Sequence, residues 1–260
     1  MTSNSYTTKL GAGQGIIEET RILLNLWEPG MNINSLYKEA LNSGLFPTIT
    51  ARRLSNLIRE GFAPRILIID NKPAIYLKQL LSNWNIHEFN QLLYLYTCRL
   101  HDILQDYIGQ VYWPKYEVGY PKISIEDARA FVRRANQEGK TSQKWSDHMV
   151  ERVSSYLNGT LNDFGLLSND RHGIRDIQTF RIRDRVVIYL AYDLHFSGLG
   201  DNAVLGHPDW ALFGLRREDV LAEFKRLALN GWFIIQSAGM ASRIGWEYET
   251  MMEVVNVLAE

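Results

Sequence analysis

Phe89, Leu92, Leu93, Tyr96, Leu100, Ile103, Leu104, Tyr107 and Ile108 recur at intervals of three and four residues. That spacing puts their side chains on one face of a long helix, and its polar back face suits a core scaffold better than a membrane span. Similar stripes recur along the chain. Ile16, Ile17, Leu23, Leu24 and Trp27 mark a first amphipathic helix stopped by Pro29-Gly30, and Ile33 to Leu41 a second that Asn32 or Asn34 can cap. Thr50 to Arg59 reads as a third, ended by Gly61. Ser124 with Asp127 has the form of a capping box opening a helix through Ala135, and further helices are expected near 146–161, 186–196 and 216–229. Strand-like sequence occurs only near the end, where Trp232–Gln236 and Ser242–Tyr248 flank Ala238-Gly239. The expected fold is mainly α, with at most a short β-hairpin near the C-terminus.

Gly109, Pro114, Gly119 and Pro121, set among Tyr112, Trp113, Tyr116 and Tyr120, predict a boundary between a helical domain over 1–112 and a second over 122–260. Ring packing is the simplest use of those aromatics, with base stacking the alternative. Each domain holds a candidate helix–turn–helix. In the first, about 33–61, Ala40-x3-Gly44 precedes Arg52, Arg53 and Arg59. In the second, about 124–161, Ala135-x3-Gly139 precedes Lys140, Lys144 and Arg152. A small residue lets two helices approach, and a glycine four residues on can take the left-handed turn conformation, although plain helical hairpins share the pattern. Leu161-x3-Gly165-Leu-Leu and Leu227-x3-Gly231-Trp-Phe both end a helix on glycine and continue with apolar residues, as a winged helix does. Arg171, Arg175, Arg181, Arg183 and Arg185 would suit a basic wing, or equally a solvated loop partly neutralised by Asp170, Asp176 and Asp184.

A formal net charge of -1 conceals a segregation. Between Arg52 and Arg185 stand 20 Lys/Arg against 15 Asp/Glu, whereas the two ends together hold 8 against 14. Basic clusters on helical hairpins are the footprint of a duplex-DNA binder. From Asp201 onward 9 acidic residues face 5 basic ones, which suits either a basic protein partner or a solvated surface. Other chemistries are weakly represented. There is no phosphate-binding Gly-x4-Gly-Lys-Ser/Thr loop, and Gly11-Ala-Gly13-Gln-Gly15 lacks dinucleotide spacing and reads as a flexible lead-in. Cys98 alone can make neither an intramolecular disulfide nor a zinc finger. Asp193, His195, Asp201, His207 and Asp209 could hold a divalent metal, but the last three also stand where turns and helix caps want such residues. No signal peptide or membrane span is evident, so a soluble, cytoplasmic protein is expected.

The segment Tyr189-Leu-Ala-Tyr192-Asp193-Leu-His195-Phe-Ser-Gly198-Leu-Gly200-Asp201-Asn202, followed by His207-x-Asp209-Trp210-x-Leu-Phe213-Gly214-Leu215, resembles the BrxA family of bacteriophage-exclusion (BREX) defence systems. Leu10-Gly-Ala-Gly13, Val111-Tyr112-Trp113-Pro114-Lys115-Tyr116, Ala128-Arg-Ala-Phe131-Val132 and Asp163-Phe164-Gly165-Leu166-Leu167 extend the resemblance across nearly the whole chain. It implies a helical accessory protein with helix–turn–helix elements that binds double-stranded DNA and has no catalytic activity. The implied setting includes a DNA methyltransferase, a large ATPase and a phosphatase-like protein.

The combined expectation is a non-enzymatic protein that binds duplex DNA mostly through phosphates, without cofactor or metal. Arg52, Arg53 and Arg59 would serve the first hairpin. Arg133, Arg134, Lys140, Lys144 and Arg152 would serve the second, with Arg181, Arg183 and Arg185 flanking it. Ser55 and Asn56 are placed to touch base edges. The alternatives are a protein scaffold or an RNA-binding component of the same defence complex.

Overall fold

The computed structural model describes residues 5–14, 16–168, 172–238 and 241–260. Gly15, Asp170, Arg171 and Gly239 of the sequence motifs lie outside that range. The chain forms two compact units, one of Met1–Lys78 with Leu93–Phe180, the other of Gln79–Leu92 with Arg181–Glu260. Helices dominate both, as the periodicity requires. The Gly109–Lys122 stretch lies inside the first unit. Most of it is helical, through a π-helical turn at Ile108–Tyr112 and an α-turn at Trp113–Glu117. Pro114 is accommodated without ending the helix because the π-helical turn just ahead of it widens the backbone where a proline ring would otherwise clash.

In the first unit, α1 (Ile17–Leu26) and α2 (Ile33–Asn42) have the expected limits. Asn32 Oδ1 caps α2 by accepting the Ser35 N–H at 3.0 Å. Helix α3 (Ala51–Asn56) is capped by Thr50. It does not stop at Gly61 but continues through a π-helical turn, Leu57–Phe62, into Ala63–Ile66. Gly61 serves close approach instead of termination: a Cβ there would lie 3.0 Å from the Ala12 carbonyl oxygen and 2.9 Å from Ile16 Cδ1. The long apolar stripe is also interrupted. Helix α4 (Ile86–Leu100) ends before His101, which is extended at φ -125° and ψ 91°, and a new helix starts at Asp102. Side-chain periodicity survives such a kink, so the stripe alone could not reveal it.

Strand β1 (Lys122–Ser124) leads into α5 (Ile125–Gln137) through the expected capping box of Ser124 and Asp127. Ser146 caps α6 (Asp147–Asp163). Gly165 then takes φ +79°, and the chain returns through β2 (Ile174–Asp176), antiparallel to β1 with Ile123 opposite Arg175. These three-residue strands are too short for a period-two pattern to announce. Packing centres on Tyr94, 5.5 Å from Phe164 and 5.6 Å from Phe180, and on buried Tyr107, whose hydroxyl meets Asn158 Oδ1 at 2.6 Å.

In the second unit, α7 (Asp184–Phe196) and α8 (Arg217–Ala228) precede the hairpin of β3 (Phe233–Ala238) and β4 (Ala241–Trp246). Its register pairs Phe233 with Trp246 and Ile235 with Ile244. The hairpin closes the core through Phe233, stacked on Phe224 at 4.7 Å, and through Tyr192, 5.0 Å from Trp246. A final helix, α9 (Met251–Leu258), was not expected from sequence; its Leu258 carbonyl accepts the Trp84 indole N–H at 2.8 Å. Among the described residues no helix is long and apolar enough to cross a membrane.

Candidate nucleic-acid interface

The first basic hairpin consists of α2, a turn at 43–50, and the helix opened by α3. Ala40 is buried and Gly44 sits at φ +69°, the roles their spacing suggested. Leu54, Leu57 and Ile58 face the core, which leaves Arg52, Arg53, Asn56 and Arg59 exposed. Arg59 is held in place: Nη2 donates to Asn34 Oδ1 of α2 at 2.5 Å, and Nε to Ser55 Oγ at 3.3 Å. No ion pair engages Arg52, Arg53 or Arg59 among the described residues.

The second hairpin pairs α5 with α6. Ala135 is buried and Gly139 takes φ +72° in the connecting turn. Its cations are less free. Arg133 Nη2 lies 3.5 Å from Glu151, a carboxylate already engaged by Arg129 at 2.5 Å, and Lys140 lies 3.2 Å from Glu138. Arg134, the next residue, turns to a different neighbour and donates to Gln110 Oε1 at 2.9 Å. Lys144 is exposed. Arg152 donates to the Tyr156 hydroxyl at 2.8 Å and lies 5.7 Å from its ring centre.

A short helical turn, Leu10–Gly13, packs against both hairpins, where the sequence reads as a flexible lead-in. Three glycines make the contacts possible. A Cβ on Gly11 would stand 2.5 Å from the Tyr156 ring, one on Gly61 3.0 Å from the Ala12 carbonyl, and one on Gly159 would run into the Gln14 side-chain amide. Residues before the wedge are tied down as well: Tyr6 N–H donates to the Lys140 carbonyl at 2.7 Å, and its carbonyl accepts from Ser142 at 3.1 Å. Gly11 was the available signal, since closely packed backbone needs residues without a Cβ.

Arg65 is a second residue the charge pattern did not single out. It is buried, with Nε on the Gly61 carbonyl at 2.5 Å and Nη1 on Thr97 Oγ1 at 2.8 Å. Burial lowers its pKa to about 10. It supports the π-helical turn and presents nothing to solvent.

Arg181, Arg183 and Arg185 belong to the second unit. Arg181 lies 3.4 Å from Glu223, and Arg185 4.0 Å from Glu88. Asp184 holds Arg226 at 2.6 Å, and that hydrogen-bonded guanidinium keeps the Asp184 carboxyl below the usual carboxylate range. Arg183 is exposed at the start of α7. The stretch is thus a partly neutralised helix entry. Arg175, from the same run, lies on β2 in the first unit, with Nη1 on the Ser168 carbonyl at 2.9 Å.

The acid and histidine cluster of the second unit has structural duties. Asp201 accepts the Ile244 N–H at 2.9 Å and the Trp246 indole N–H at 3.2 Å. His195 stacks on Trp246 at 4.1 Å, and burial lowers its pKa. His207 Nδ1 caps the turn at Pro208–Phe213 by accepting the Asp209 N–H at 3.2 Å. No group of three or more His, Cys, Asp or Glu placed to hold a metal occurs among the described residues.

The BrxA family model matches residues 4–193, which include both hairpins and the wedge between them. The chain belongs to the BrxA family. Membership connects it with BREX phage defence in an accessory role. A crystal structure of an uncharacterized protein from Magnetospirillum magneticum is similar in fold, with a TM-score of 0.59 at 16% identity, covering 74% of this chain and 95% of that one. No curated protein matches this BrxA chain.

Proposed function

We propose that this BrxA protein binds double-stranded DNA through the phosphate backbone, using the first unit, and that it does no chemistry on it. The observation that carries the reading is a group of exposed cations with no carboxylate partner among the described residues, among them Arg52, Arg53 and Arg59 on one hairpin and Lys144 and Arg152 on the other; Arg134 shares that property but donates to Gln110 and is not counted with them. A lone exposed cation gains little within the fold, whereas at a phosphate it releases a condensed counterion. Arg133 and Lys140 contribute less, because Glu151 and Glu138 already neutralise them. Arg181 and Arg185 are discounted for the same reason. Five phosphate contacts would give a slope of log affinity on log salt of about -4.5. The test is a fluorescence-anisotropy titration of labelled duplex DNA across a salt series, with a single strand and an RNA hairpin as competitors. A flat salt response, or preference for the RNA, would overturn the reading.

A protein-scaffold role has support in the second unit. In the position where a winged helix would present its reading helix, α8 exposes Glu218 and Asp219, which repel phosphate. Leu229 and Ile234 beside it are 86% and 61% exposed. Charge reversal at Glu218 and Asp219 that removes a defence partner while leaving duplex binding intact would give this unit the docking role.

A further inference from the structure

Between the turn at Trp113–Glu117 and α5 the first unit holds a groove of about 490 Å³. Its apolar lining comes from Val111, Pro114, Val118, Ala130 and Phe131, with Tyr120 on the rim. Val118 is 70% exposed and Tyr120 59%, so two apolar side chains stand open to water beside the groove. The wall is built on the π-helical turn Ile108–Tyr112, a widened geometry that recurs at functional sites.

The charges around this groove do not cancel. Asp127 is spoken for: Lys115 Nζ lies 2.8 Å from one carboxylate oxygen, and the Ser124 N–H donates to the other at 2.8 Å. Arg134 has only neutral neighbours among the described residues, the Gln110 amide oxygen and the Phe131 ring 5.9 Å from its guanidinium carbon. One uncompensated cation therefore stands over an apolar floor. Duplex DNA presents an outer surface of phosphates, and its apolar thymine methyls lie recessed in the major groove, out of reach of such a floor. A nucleotide brings two charges and a polar base, a poor match to one cation and a mostly apolar lining. The fit is to an apolar side chain with a single carboxylate beside it, which satisfies the free Arg134 donors while the floor desolvates the apolar group.

We propose that this groove docks a linear segment of a partner protein in which a large apolar residue lies next to an acidic one. The inference does not rest on DNA binding and stands or falls separately from it. The probe is the blocked dipeptide acetyl-Phe-Glu-amide, titrated into the full-length ¹⁵N-labelled chain, with acetyl-Phe-Gln-amide, acetyl-Ala-Glu-amide and thymidine monophosphate as comparators. Shifts should concentrate in residues 110–120 and 127–134. The Phe-Glu peptide should bind about fivefold more tightly than Phe-Gln, the ratio separating a charged from a neutral hydrogen-bond acceptor. Arg134→Gln should erase that preference. Val118→Asp, at a position too exposed to unfold the chain, should abolish binding of all three peptides. The proposal is overturned if no shifts appear by about 20 mM, the weak end for so small a ligand. It is also overturned if they fall outside the groove, if Phe-Gln or Ala-Glu binds as well as Phe-Glu, or if the nucleotide binds more tightly than any peptide.

Discussion

Replacing Arg52 and Arg53 by alanine removes two of the five cations assigned to phosphate, both from the solvent side of a helix whose Leu54, Leu57 and Ile58 hold the core. Alanine is at least as good a helix former as arginine, so the fold should survive. Each phosphate contact contributes about 0.9 to the slope of log affinity on log salt. The wild-type slope of about -4.5 should therefore flatten to about -2.7. Between 50 and 200 mM salt this turns a roughly 500-fold loss of affinity into a roughly 40-fold one. The assay is anisotropy of a labelled duplex at five or more salt concentrations. Arg133→Ala is the matched control on the other hairpin: Glu151 already holds that guanidinium at 3.5 Å, so its slope should change by well under about 0.9. Equal effects from Arg133→Ala and from a single Arg52→Ala would refute the argument that pairing decides which cations reach phosphate. An unchanged slope in the double variant would remove the first hairpin from the interface altogether.

Three further outcomes follow from the packing. Gly11→Ala drives a methyl to 2.5 Å from the Tyr156 ring and should cost about 1–3 kcal/mol in chemical denaturation. Much of that should return in the double variant with Tyr156→Ala; a Gly11→Ala protein as stable as wild type would show that the wedge is not tightly packed. Asp201→Ala leaves the Ile244 N–H and the Trp246 indole without their acceptor and should lower stability by about 1–3 kcal/mol, with or without chelator. Stabilisation by added divalent metal that this variant loses would instead make Asp201 a ligand. Burial first, then the charges of Arg65 and Lys9, lower the His101 pKa from 6.5 to about 4. The unfolded chain therefore holds an extra proton between those values, and this contribution to stability is complete above about pH 6.5 and declines toward pH 4. The slope should approach about 1.4 kcal/mol per pH unit near the midpoint of that interval, and His101→Gln should be flatter by up to that amount between about pH 4.5 and 6. An identical pH profile in the variant would mean that His101 titrates normally.

What could be read in the sequence was what a few neighbouring residues decide among themselves. Asn32, and Ser124 with Asp127, cap the helices their positions suggested, and Thr50 and Ser146, read as first helical residues, stand one place earlier as caps. The glycines 44, 139, 165 and 231 all take the left-handed conformation that ends or turns a helix. The failures arose where distant contacts override a local rule. Gly61 reads as the end of its helix, yet the helix runs through it and through Pro64, because the π-helical turn widens the backbone ahead of the proline and the missing Cβ admits the Ala12 carbonyl. His101 reads as one more helical residue and is extended.

The site divides along the same line. A charge count finds where arginines cluster, but the electrostatic value of each depends on what stands within about 4 Å, a distance inside which a carboxylate already satisfies it. Arg133 and Arg134 are adjacent in sequence and would be counted together as one basic patch. Arg133 spends its charge on Glu151 of α6, whereas Arg134, rotated to the other side of α5, meets only an amide and an aromatic ring. Neither partner is signalled by spacing, since Gln110 and Glu151 come from opposite sides of α5 in the chain. A basic patch in sequence is therefore a list of candidates, and the acidic residues that the fold returns to it decide which candidates remain for a phosphate, which for a peptide carboxylate, and which for neither.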